Sequence, residues 1–200
     1  SGSMGGDKLQ LTQEAACQAL HSLNSKDLLS LVIFDDEVDT LFTGPVQDKA
    51  ALEALIRGVE ARNNTNLCGG WLRGAQEISK QGRNNCLSRV ILLTDGQANA
   101  GVVEPEQICA RVAGWSASSV QTTTLGFGIG YNQELLKQMA SEGGGNHGYI
   151  EDANRLGAFF EEEMSSLLQA RGTHVRVQIV PSSDGSIHWF VKPKLDREGQ

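Results

Sequence analysis

The chain of 200 residues contains no apolar run approaching the ~20 residues that a membrane-spanning helix requires. Cysteine is scarce: Cys17, Cys68, Cys86 and Cys109 lie far apart and form no Cys-x-x-Cys pair, so the ligand spacing of a structural zinc site is missing. Four cysteines could form disulfides, but two fall in helical patterns, where a free thiol packs as a small apolar residue. They are read as reduced, which leans toward a cytoplasmic, reducing compartment. Positive charge is also short. Seventeen Lys and Arg against 24 Asp and Glu leave a net charge of −7. That balance speaks against a nucleic-acid partner, which wants a basic face, and suits a cation site. The four histidines, His21, His147, His174 and His188, are scattered without ligand spacing. No Ser-His-Asp or Cys-His arrangement can be drawn, so a nucleophilic triad is not part of the reading.

The length suits one domain of ordinary size, or one domain plus a fragment of another. A chain of this length buries roughly 70% of its unfolded surface, so folding needs neither disulfides nor metal. Glycine is abundant at 23 residues, implying many tight turns.

Leu9, Ala16, Leu20 and Leu23 repeat at helical spacing, and Leu28 to Phe34 reads as a buried strand. Asp35, Asp36 and Glu37 turn the chain into Val38 to Phe42, an alternating edge strand that Gly44-Pro45 should break. Asp48 caps a helix through Leu52, Leu55, Ile56 and Val59. A polar loop around Thr65 leads into a helix from Leu67 to about Lys80, with Leu72, Ala75 and Ile78 inward. Val90 to Leu93 is four apolar residues in a row, the mark of a strand buried on both faces of a parallel sheet. It stops at Thr94, Asp95 and Gly96. Pro105 opens a helix striped by Ile108, Val112 and Trp115. Val120 to Phe127 is another buried strand, Asn132 caps a helix from Glu134 to Ser141, and His147 to Ile150 is a short last strand. Asp152 or Asn154 opens a long helix carrying Leu156, Phe159, Phe160, Met164, Leu167 and Leu168.

Strand and helix alternate over residues 1–171, which predicts a doubly wound, mostly parallel α/β sheet with one antiparallel edge strand. From Thr173 the rhythm becomes β-like. Val175, Val177 and Ile179, then Ile187, Trp189 and Val191, flank a turn at 181–186. Residues 172–200 are therefore read as a hairpin that starts a second, incomplete β-rich domain.

Three segments converge on one edge of such a sheet. Ser1 and Ser3 precede a helix, Thr65 lies in the loop before another, and Asp95 ends a buried strand. Ligands bind beyond the carboxyl ends of strands in open α/β sheets. Hydroxyls and a carboxylate are hard oxygen donors, which suit Mg²⁺ or Mn²⁺ better than zinc.

The set Ser1-Gly2-Ser3-Met4, Asn64-Thr65-Asn66-Leu67 and Leu92-Leu93-Thr94-Asp95-Gly96 resembles a von Willebrand factor type A (VWA) domain of Rossmann-like fold. Each motif alone is common; all three in this order on an α/β pattern are specific. Phe34-Asp35-Asp36, Thr124 to Gly128 and Gly143 to Asn146 look most like bacterial members of the family. Those members are similar to the A domains of calcium-activated chloride channels and of inter-alpha-trypsin inhibitor heavy chains. The resemblance implies a metal-ion-dependent adhesion site (MIDAS), with Ser1, Ser3, Thr65 and Asp95 as its metal ligands. It implies Mg²⁺, or Mn²⁺ or Ca²⁺, bridging to an acidic residue of a partner protein. An alternative is an assembly subunit working with an ATPase or a metal-inserting complex; a metal-dependent hydrolase is the third reading.

One departure matters. The family's first aspartate would stand two positions before Ser1, on a strand lying between the Leu28 and Val90 strands. Neither is in the chain, which is therefore read as a fragment whose Val90 strand borders an empty slot or borrows a strand from elsewhere. An amino terminus at Ser1 is mostly cationic at pH 7, with a pKa of roughly 7.7–8.0. Metal is accordingly expected to bind weakly to this chain and better to one extended upstream.

Other candidates receive ordinary readings. Asp35 and Asp36 are taken as solvated turn residues, Gln97 and Asn99 as loop filler, and Gly126-x-Gly128-x-Gly130 as a tight loop without the dinucleotide spacing. Cys68 is read as core, Trp71, Trp115 and Trp189 as packing or rim residues, and Glu161 to Glu163 as a solvated face.

Overall fold

The computed structural model describes residues 6–61, 64–81, 87–95, 98–127 and 131–150, with the helical residues 158–160, 162–163 and 165. Ser1, Ser3, Cys86, Gln97, Gly128, Gly130, Glu161, the start of the last helix and the whole of 172–200 lie outside them. The domain break and the terminal hairpin expected above belong to that part.

Ten elements follow in order: α1 (Asp7–Ser22), β1 (Leu28–Phe34), β2 (Val38–Pro45), α2 (Lys49–Arg57), α3 (Leu67–Lys80), β3 (Ser88–Thr94), α4 (Pro105–Ala117), β4 (Val120–Phe127), α5 (Gln133–Glu142) and β5 (Gly144–Ile150). The caps at Asp48 and Asn132 and the proline at 105 are those the sequence implies, and Asn66 adds a cap it did not announce. Asp48, Asn66 and Asn132 each accept a bond from a backbone N–H in the first turn of their helix, and Pro105 opens α4. Three boundaries differ from expectation. Helix α2 stops at Arg57, so Val59 lies beyond it and Leu55 is 41% exposed. Its short inward stripe is Leu52 and Ile56 alone. Strand β2 continues through Gly44 and Pro45, whose ring sits at the strand's end where no ladder donor is needed. Strand β5 begins at Gly144, directly after the α5 cap.

The strands form two sheets. β1 and β2 pair antiparallel; β3, β4 and β5 are parallel in that order, joined by crossover helices α4 and α5. Apolar layers cover both faces. On one face α3, α4 and α5 pack Leu67, Trp71, Ala75, Ile108, Val112, Leu136 and Met139 against Val90, Leu92 and Val120. On the other, Leu11, Ala15 and Phe160 meet Leu125, Phe127 and Ile150, while Leu20, Leu52 and Ile56 meet Leu29, Leu31 and Phe42. This is the doubly wound α/β arrangement expected, but divided.

The division lies between β1 and β3. A cavity of about 960 Å³ runs between them, lined by all of Leu28–Asp35 and Leu87–Thr94, with α1 on one side and Gly70, Trp71, Gly74 and Ile78 of α3 on the other. The slot expected beside the Val90 strand is therefore present. It also corrects the reading of β1, which was expected to be buried: each of its seven residues is only half-buried. β3 keeps Val90, Leu92 and Thr94 buried toward α3, whereas Ile91 and Leu93 are half-buried. One edge of each strand faces the slot, so the side chains beside that edge lack the cover that a neighbouring strand would give.

Candidate functional site

The carboxyl ends of β1 and β3 meet at the loop before α3. Asp35, just after β1, accepts a bond through its backbone oxygen from Asn66 N–H at 2.7 Å. Its own carboxylate accepts from Glu37 N–H at 2.8 Å, closing the turn into β2. Asp35 is buried, against the solvated role expected of it; Asp36 is exposed, as expected, and accepts from Asn64. A short side-chain acceptor at 35 suits the turn because it reaches the backbone N–H two residues on and satisfies that donor.

From the other side comes the loop after β3. Asn99 Oδ1 accepts from Thr65 N–H at 2.7 Å, while Asn99 and Ala100 N–H donate to Thr65 O at 3.2 and 3.3 Å. Asn99 is thus no filler. It takes over both backbone groups of Thr65 and fixes the residue without touching its hydroxyl. Gly101 completes this loop with φ of +68°, and a Cβ there would stand 2.3 Å from Asn66 Oδ1, so only glycine closes it.

Thr65 and Asp95 are thereby brought to one edge, and both are buried, at 1% and 3% exposure. Thr65 Oγ1 and Asp95 Oδ1 have no hydrogen-bond partner among the described residues. Buried polar atoms are paired almost everywhere in proteins, so two such oxygens, one in the loop before α3 and one at the end of β3, mark a candidate ligand site. The other carboxylate oxygen, Asp95 Oδ2, lies 3.9 Å from Lys8 Nζ in the first turn of α1. Hard oxygens without partners fit a divalent cation such as Mg²⁺ or Mn²⁺. Among the described residues no three His, Cys, Asp or Glu side chains converge, so a nitrogen- or thiolate-based site has no support there. Cys17, Cys68 and Cys109 are free and buried, and burial pushes each thiol pKa up, which keeps them inert packing residues.

A second polar cluster lies on the opposite face. Glu163 is 1% exposed and pairs with Arg89 at 2.6 Å. It also accepts from Thr123 Oγ1 at 2.8 Å and from Asn146 Nδ2. This corrects the expectation of a solvated acidic face: Glu162 is exposed, but Glu163 docks its helix onto β4 and β5. Three consecutive buried threonines make β4 receptive. Thr122 accepts from Trp71 Nε1, Thr123 donates to Glu163, and Thr124 donates to Leu136 O. Near the same sheet edge as Asp95, Tyr131 stacks on Tyr149 with ring centres 5.0 Å apart, and His147 bonds Thr124 and Tyr131. Burial, with Lys137 nearby, holds the His147 pKa below its ordinary value.

The model of the von Willebrand factor type A domain matches residues 1–162. The chain belongs to that family. Over 184 residues this A domain is 32% identical to human inter-alpha-trypsin inhibitor heavy chain H3, an alignment covering 84% of the chain and 20% of that protein. The chain thus spans about a fifth of the length of the heavy chains it matches. Among solved structures, a von Willebrand factor type A protein from Catenulispora acidiphila superposes with a TM-score of 0.71 at 22% identity, over 84% of this chain and 40% of that one. Proximal thread matrix protein 1 from the mussel byssus, solved with a zinc-occupied MIDAS motif, gives a TM-score of 0.58 at 19% identity, over 78% of this chain and 42% of that one. Both share the fold of this A domain. Domains of the family typically mediate protein interactions through a divalent metal at the MIDAS.

Proposed function

We propose that this A domain is a metal-ion-dependent protein-binding module in which Ser1, Ser3, Thr65 and Asp95 supply the protein ligands of one divalent cation. The observation that carries the reading is the pair of buried oxygens without a hydrogen-bond partner among the described residues, Thr65 Oγ1 and Asp95 Oδ1, at the carboxyl edge of the sheet. A buried carboxylate is costly unless compensated, and a cation lowers that cost. The donor set is all oxygen, which favours Mg²⁺ or Mn²⁺ over softer-ligand metals.

The bound ion would supply positive charge at a solvent-facing edge, where a carboxylate of a partner protein completes the coordination. The residues of the chain orient the donors: Asn99 fixes the Thr65 backbone, and the end of β3 presents Asp95. The module binds and does not catalyse. Residues 1–171 are the A domain in this reading, and 172–200 open a separate β-rich unit.

Calorimetry with Mn²⁺ tests the ligand set. The wild-type chain is expected to bind Mn²⁺, and Asp95→Ala to lose binding while keeping its circular dichroism spectrum. An immobilised aspartate-containing peptide should be retained by the wild type in Mn²⁺ and released by EDTA. Equal Mn²⁺ binding by Asp95→Ala, or retention indifferent to EDTA, would overturn the reading.

A further inference from the structure

We propose that Lys8 is a built-in cation of the candidate metal site, compensating Asp95 when no metal is bound and yielding to the divalent ion when it arrives. The inference rests on the metal-binding reading above and extends it to a residue outside the ligand set.

The placement of Lys8 is determined by its helix. Gly6, with φ of 70°, turns the chain sharply into α1, and its carbonyl accepts from Leu9 and Gln10 N–H. Helix α1 then lies along the sheet, with Leu11, Ala15 and Ala19 packed in the cluster that holds Ile91, Leu93 and Leu125. That contact sets the first turn of α1 over the end of β3, and Lys8 reaches back to Asp95 Oδ2 at 3.9 Å.

The two partners differ in their surroundings. The Asp95 side chain is 4% exposed and cannot turn to water, whereas the Lys8 side chain is 35% exposed and can. At 3.9 Å the ammonium balances charge without occupying Oδ1, which, like Thr65 Oγ1, has no hydrogen-bond partner among the described residues. A divalent ion held by the Asp95 carboxylate would bring a double positive charge close to the lysine, whose Nζ already lies 3.9 Å from Oδ2. Like charges at that range repel, and the mobile partner is the lysine, whose flexible stem carries it into solvent. Part of each metal-binding event is therefore spent on displacing Lys8. The lysine raises the metal concentration at which the site fills and keeps the unfilled site folded.

The experiment measures the Mn²⁺ dissociation constant by electron paramagnetic resonance for the full chain, Lys8→Gln and Lys8→Arg, with thermal unfolding of each in EDTA. Lys8→Gln is expected to bind Mn²⁺ about tenfold tighter, since the displaced charge is gone. It should also unfold at a lower temperature without metal, and Lys8→Arg should resemble the wild type in both respects. Binding by Lys8→Gln alone, with none by the wild type, would support the inference in its strongest form. Unchanged or weaker Mn²⁺ binding by Lys8→Gln overturns the inference and leaves the metal site standing. Binding by no form overturns both. Because Lys8 is partly exposed, the variant is expected to fold. An Asp95→Asn background, in which the EDTA effect of Lys8→Gln should vanish, separates loss of the pair from a general loss of stability.

Discussion

Along one edge, β3 pairs with β4 from Ser88 to Thr94; along the other, it faces β1 across a cavity of about 960 Å³. The paired side is closed in every direction. β4 is buried almost throughout, its three threonines are hydrogen-bonded, and a charged pair ties the last helix down behind it. The slot side is held by helices. α3 packs on both β1 and β3, and α1 joins the apolar clusters of the two sheets. The comparison teaches that two mechanisms hold one domain together: backbone ladders and buried polar pairs on one side, side-chain packing from two bridging helices on the other. The candidate site lies at the end of the slot, where the two meet.

The largest expected effect is on the closed side. Glu163→Ala leaves the Arg89 guanidinium, itself almost wholly buried, without the carboxylate it faces at 2.6 Å. Breaking such a pair from one side costs about 3–5 kcal/mol, which urea unfolding would read as a lower midpoint. A change under about 1 kcal/mol would mean that the last helix contributes little to the closed half.

Next comes the bridge. A Cβ on Gly70 would stand 2.3 Å from the Phe34 ring, whereas one on Gly74 meets Val90 at a comfortable 3.5 Å. Gly70→Val should therefore push α3 off β1 and cost about 1–3 kcal/mol by overpacking. Gly74→Ala, one turn along, should be neutral or stabilise by up to about 1 kcal/mol through helix propensity. Equal effects in the two variants would show that α3 does not grip the sheets differently.

The smallest effect is a pH dependence. His147 on β5 has its pKa lowered by burial, so the unfolded chain takes up its proton first as pH falls. The stability tied to a neutral His147 is whole above about pH 6.5, the unfolded value, and is lost as pH drops from there toward the folded pKa. Unfolding midpoints for the wild type and His147→Gln between about pH 7.5 and 5 would test this. The variant's curve should be flatter over that window.

Much of the molecule was legible in the sequence because its signals are local. The run Val90 to Leu93, the caps at Asp48 and Asn132, and Pro105 each act within a few residues, and each element formed where they sit. The slot beside β3 was expected for another reason: it followed from the resemblance to the family, whose first strand lies between the Leu28 and Val90 strands. What could not be read depended on distant partners. Glu163 looks like any surface glutamate until Arg89, 74 residues away, is seen beside it. Asn99 acts through the backbone of Thr65, and a backbone leaves no mark on residue type. Asp35 sits in a turn sequence that solvated aspartates share. In the site, the chemistry of Thr65 and Asp95 was visible as a motif, while Lys8 carried no signal beyond its place shortly after Ser3.

The loop at Thr65 has one further property. Asn66 answers to β1 through Asp35, and Thr65 answers to the chain after β3 through Asn99. The peptide unit between two adjacent residues is thus tethered to two separate sheets. Its carbonyl is held from the β3 side by Asn99 and Ala100 N–H and its N–H from the β1 side by the Asp35 carbonyl, so one peptide stitches the two sheets together across the gap.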